Sequence, residues 1–165
     1  MTKFKIILWT AVIFVIQTVI VSHIHILGAV PSVVMSYMIC VVIMENEFRD
    51  AVIISAVCAF VMGALSGRNM VVVTLLYAYS AIMVFSLRKK PVYIGNLFKA
   101  VMWTFIVSAV TETAYYAACE WSVNLDVLLY DALPTAVLNL IGTLVVYPIL
   151  KKTMYKEEKK KLLIA

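Results

Sequence analysis

Apolar positions along this chain neither alternate nor mark a narrow helical stripe; they run in nearly unbroken blocks at residues 6–22, 26–44, 51–67, 70–87, 94–118 and 133–150. An α-helix needs about 20 predominantly apolar residues to cross the hydrocarbon core of a bilayer. Each block therefore predicts one spanning helix, and the six together predict an all-α polytopic membrane protein with one helix bundle over residues 1–150. The breaks at His23-Ile24-His25, at 45–50, at Ser66-Gly67-Arg68-Asn69 and at Arg88-Lys89-Lys90-Pro91 are short and carry turn chemistry, so sequential helices should be antiparallel neighbours. Residues 119–132 are too many for a turn and still rich in Leu, Val and Trp. They are expected to lie along the outer membrane interface.

Composition agrees with this pattern. Of 165 residues 64% are apolar and 14% charged, and the mean hydropathy is +1.01, against roughly 45–50% apolar residues in soluble domains. A water-soluble fold of this size hides only about 70% of its surface, so most of the Ile, Val, Leu and Met must face lipid. Lys3 and Lys5 ahead of the first block resemble a signal peptide, but no small-x-small cleavage site follows, which favours a retained first span.

The positive-inside rule sets the orientation. Of the fourteen Lys and Arg residues, all but Arg68 fall on the side shared by the N-terminus, the second–third loop, the fourth–fifth region and the tail. Both termini are thus expected in the cytoplasm. The basic tail, 151–165, should lie against the anionic inner leaflet, each cation contributing about 1 kcal/mol near the surface. The net charge of +5 is read as topology and lipid contact, not as a nucleic-acid surface.

Small residues mark where helices meet. Ala51, Ser55, Ala59, Gly63 and Gly67 recur at four-residue steps on the third span, a stripe that lets another backbone approach closely. Packing inside the bundle is the favoured reading of that stripe, ahead of contact with another protein. On the sixth span Ala132, Thr135, Asn139, Gly142 and Val146 form a second seam; Pro134 should occupy the first helical turn and Pro148 should bend or finish the helix.

Polar side chains in hydrocarbon require partners, an ionisable one costing about 2.5–3.5 kcal/mol at a helix centre. Counting along the spans buries Gln17, Glu112 and Asn139 by about 7–9 Å from the outer ends at 1.5 Å per residue. One polar cluster is expected, with Asn139 and Gln17 donating to Glu112 and no basic residue at that depth. Structural helix pairing is the favoured reading of it, and a solute or proton site the rival. His23 and His25 lack a third and fourth ligand. Cys40, Cys58 and Cys119 show neither a zinc spacing nor a disulfide framework and read as small packing residues. Nucleotide loops, Ser/His/Asp sets and paired catalytic carboxylates are absent as spacings, so the chain is read as a non-enzyme without metal or cofactor.

The closing helix carries a resemblance. Leu133-Pro134-Thr135-Ala136-Val137-Leu138-Asn139 followed by Val146-Tyr147-Pro148-Ile149-Leu150 resembles the MreD family of bacterial rod-shape-determining membrane proteins, with Pro134, Asn139, Tyr147 and Pro148 as its signature. Gln17-Thr18, Pro31, the run from Phe60 to Gly67, and Leu75-Leu76-Tyr77-Ala78-Tyr79 extend the likeness over nearly the whole chain. The family often has acids where Ser32 and Leu65-Ser66 stand here. The resemblance implies a non-catalytic scaffold in the cytoplasmic membrane that binds MreC and, through it, the MreB filament and the synthases of lateral-wall peptidoglycan. A substrate-capture subunit of an energy-coupling-factor importer of vitamins or metals has similar length and span count, and is the alternative.

Overall fold

A computed structural model describes residues 3–26, 29–45, 47–87, 97–119 and 125–154. These residues fold into α1 (Lys3–Val19), a 3-10 turn (Val21–His23), α2 (Val33–Met44), α3 (Phe48–Leu65), α4 (Met70–Leu87), α5 (Leu97–Cys119), the short α6 (Leu125–Val127), a π-helical turn (Leu128–Ala132) and α7 (Leu133–Met154). The only extended pairing among them is an isolated bridge between Ile26 and Ala29. Five helices are long and apolar enough to cross a membrane, and Ile7, Val15, Val71, Leu75 and Phe98 are among many large apolar side chains on their outer faces. Such a surface belongs in lipid. The chain is a multi-pass helical membrane protein with one bundle.

α2 is the exception that organises the rest. At twelve residues it is about 18 Å long at 1.5 Å per residue, short of the roughly 30 Å hydrocarbon core. It is apolar on every face, and such a helix is stable only when surrounded. Every residue from Val34 to Met44 is buried, and α2 packs against α1, α3, α4, α5 and α7 at once. The predicted second span thus corrects to a buried half-span preceded by non-helical chain. Pro31 explains the boundary: it disfavours helical backbone at Val30, and Ser32 then caps the helix, its side chain accepting from the Met35 amide at 3.1 Å.

Around this core α3 packs on α4, α4 on α5, and α5 on α7. Ala51, Ser55, Ala59 and Gly63 are all buried. At Gly63 a Cβ would come within 2.9 Å of the Met70 carbonyl and 3.1 Å of Thr74 Oγ1, so the stripe is where α4 approaches most closely. Gly67 does not belong to it. It lies beyond the end of α3 with φ +64°, nothing lies within 4 Å of where its side chain would begin, and it serves the turn instead. At the opposite end of this hairpin Phe48 and Phe85 meet edge to face, ring centres 5.1 Å apart.

Of the stretch 119–132, residues 120–124 lie outside the described residues and 125–132 are described. They are helical and lead directly into α7, giving an apolar run from Leu125 to Thr153. Pro134 therefore lies inside a longer helical run. Its missing N–H and its ring disturb the preceding turn, and the wide π-turn, closed by Leu133 N–H to the Leu128 carbonyl, absorbs the disturbance. α7 likewise continues past Pro148 to Met154, so Pro148 does not finish the helix. The 88–91 turn, residues 94–96 and the tail from 155 onward lie outside the described residues.

Candidate functional site

Two polar constructions lie side by side at the end of the bundle that carries Arg68. The first surrounds the entry to α2. Gln17, buried on the face of α1 that also presents Ile6 and Ile13, donates from Nε2 to the Pro31 carbonyl at 3.1 Å and accepts the Val33 amide on Oε1 at 2.8 Å. Asn139 on α7 accepts the Ser32 amide on Oδ1 and donates from Nδ2 to Ser108 Oγ on α5, both at 2.6 Å. Below it the Asn139 carbonyl accepts from Ser36 Oγ at 2.7 Å, and Thr143 donates to Thr104 at 2.9 Å. The α2–α7 approach needs Gly142, since a Cβ there would lie 2.8 Å from Ser36 Oγ.

The physical reason is plain. Non-helical backbone inside a bilayer survives only where protein groups satisfy its amides and carbonyls. Residues 31 and 32 are such backbone, Val33 opens α2 with no intrahelical partner for its N–H, and the two intramembrane amides satisfy these groups. α1, α2, α5 and α7 are joined through three consecutive residues.

The second construction begins in the turn after α3. Asn69 caps α4 by accepting the Val71 and Val72 amides on Oδ1, and its own amide donates to Tyr115 Oη at 3.1 Å. This fixes Arg68 against α5, where Nη1 donates to Glu112 Oε2 at 2.6 Å. The guanidinium lies over the rings of Tyr115 and Tyr116, 4.8 and 5.9 Å from their centres. Burial disfavours its charge, yet the charge and hydrogen bond of Glu112 outweigh that effect and raise the Arg68 pKa above its ordinary value.

The expected cluster of Gln17, Glu112 and Asn139 is corrected accordingly. Gln17 and Asn139 meet at α2 but bond its backbone, and Glu112 takes Arg68 as its partner. Arg68 lies in the turn between α3 and α4, so hydropathy alone puts no base at this depth. A long side chain with an apolar stem reaches several ångströms along a helix surface, and that reach was the missed signal. Ser32, Ser36, Ser108, Thr104 and Thr143 were also missed; small hydroxyl residues are common in such helices and carry no spacing that marks them.

Between the two constructions opens a cavity of about 460 Å³. Gln17, Ser32, Arg68, Tyr77, Glu112 and Asp131 are among its polar walls, and Val30, Met62, Leu65 and Leu76 among its apolar ones. Of the signature residues of α7, Asn139 is buried in the first construction, Tyr147 is buried farther along the helix, and Pro148 is exposed. Comparison with known protein families, characterised proteins and solved structures gives no match.

Proposed function

We propose that this protein is a non-catalytic membrane scaffold of the bacterial cell-shape and lateral-wall peptidoglycan elongation complex, placed in the cytoplasmic membrane with both termini inside. One observation carries the reading. Gln17, Pro31 and Asn139, three of the positions on which the resemblance to the MreD family rests, are more than a hundred residues apart at the extremes yet converge on the entry to α2. Residues that share a family likeness and one structural task support a shared architecture, and the task they serve is rigid packing. A rigid bundle with broad apolar outer faces suits a protein that acts by holding partners: MreC directly, and through it the MreB filament and the wall synthases. The cavity favours a second reading, a substrate-capture subunit of an energy-coupling-factor importer.

Co-purification distinguishes the two. The tagged full-length chain should retain MreC, and its depletion should round the cells. Recovery of a transporter ATPase module without MreC would replace the scaffold with the importer. A reporter at the C-terminus should be cytoplasmic, following the Lys and Arg asymmetry.

A further inference from the structure

The charges around the cavity do not cancel. Arg68 is matched by Glu112 at 2.6 Å, and Asp131 borders the same space. Among the described residues that line it, Arg68 is the only Lys, Arg or His. Two carboxylates thus face one guanidinium across a half-enclosed, partly exposed space, which leaves a net negative site that a cation would balance.

The hydrogen-bonding capacity left over includes carboxylate oxygens. Gln17 has spent Nε2 and Oε1 on the backbone of residues 31 and 33, and Thr111 Oγ1 donates to its own helix. Arg68 takes Oε2 of Glu112 through one of its N–H groups and the Tyr116 hydroxyl donates to Asp131, which leaves Oε1 of Glu112 and the second Asp131 oxygen as carboxylate acceptors beside the remaining Arg68 donors. At about 460 Å³ the space falls in the roughly 300–1,000 Å³ range of small-molecule sites. Val30, Met62, Leu65 and Leu76 give it apolar walls.

We propose that the cavity binds a protonated primary amine carried on an apolar body, its ammonium donating to Asp131 and to the remaining oxygen of Glu112. An anion would add to the excess negative charge. A quaternary ammonium would balance the charge but has no N–H for two carboxylates. The headgroup of an aminophospholipid and a free amphipathic amine share the required chemistry. The inference stands on the cavity alone and not on the scaffold role, so loss of MreC association would leave it intact.

The test uses the purified full-length chain in detergent, with native mass spectrometry and thermal unfolding as readouts. The probes are phosphatidylethanolamine, phosphatidylcholine and phosphatidylglycerol of identical acyl chains, and octylamine. At least one of the two primary amines should bind saturably, one per chain, and raise the unfolding temperature. Phosphatidylcholine and phosphatidylglycerol should bind about tenfold more weakly or worse, the worth of a charge-assisted hydrogen bond. Preference for phosphatidylethanolamine identifies a lipid headgroup, and preference for octylamine a free amine. Asp131→Asn should weaken amine binding about tenfold. If that variant does not fold, Glu112→Gln carries the same readout: weakened amine binding supports the site, and unchanged binding overturns it. The proposal is also overturned if neither amine saturates, if the choline or glycerol lipid binds equally well, or if folded Asp131→Asn keeps full affinity.

Discussion

The two polar constructions at the Arg68 end of the bundle face the same physical problem and solve it differently. Around the entry to α2, Gln17, Ser32, Ser108 and Asn139 are all buried, and the amides of Gln17 and Asn139 use both donor and acceptor on fixed partners. A few ångströms of bundle away, the Arg68 and Glu112 side chains remain 35% and 14% exposed and border a cavity. A buried polar network is strong when complete and costly when one member is lost, whereas a partly exposed ion pair contributes little to stability. The first is therefore structural. The second is free to vary with little effect on the fold, and is where chemistry with an outside molecule can occur.

Breaking the first construction should produce the largest effect. Asn139→Leu strands the Ser32 amide and the Ser108 hydroxyl, each worth about 1–3 kcal/mol when buried without a partner. A loss of roughly 2–6 kcal/mol is expected on that basis, measured as reversible unfolding in mixed micelles. Next comes the joint that presents Arg68. Gly63→Leu must move the Met70 backbone, 2.9 Å from the added Cβ, and overpacking of that sort costs about 1–3 kcal/mol; it should also loosen the α3–α4 hairpin to limited proteolysis.

The smallest effect is expected at Glu112→Gln, whose amide oxygen still accepts from Arg68. With both partners partly exposed, the change should cost less than about 1 kcal/mol. Assembly and cell width should stay near wild type. A Glu112→Gln loss as large as that of Asn139→Leu, in the same micelles, would erase the distinction between the two constructions.

Much of the bundle was legible because long apolar runs admit few alternatives. Five of six runs became full-length helices, and the stripe from Ala51 to Gly63 is an internal contact, as its spacing implied. Residues 26–32 misled for a definite reason. Ile26, Leu27, Ala29 and Val30 are as apolar as the helix that follows, so hydropathy carries no boundary, and only Pro31 marks one. The shared depth of Gln17, Glu112 and Asn139 was legible from rise per residue, but their partners were not. Two of the three bond main-chain groups, which every residue possesses and which no side-chain pattern announces. The π-turn before Pro134 was hidden similarly: Pro134 sits in the first turn of α7, as its chemistry implies, but nothing in the sequence shows that more helix precedes it.

Gln17 and Asn139 hold the non-helical entry to α2 in place inside the membrane. Amide hydrogen exchange at Ser32 and Val33 reads this directly, because their N–H groups donate to Asn139 and Gln17. Both amides should be strongly protected in the wild-type protein. Ser32 should lose protection in Asn139→Ala, Val33 in Gln17→Ala, and neither should change in Glu112→Gln. Fast exchange at both positions in the wild type, or protection that depends on Glu112 instead, would contradict the account.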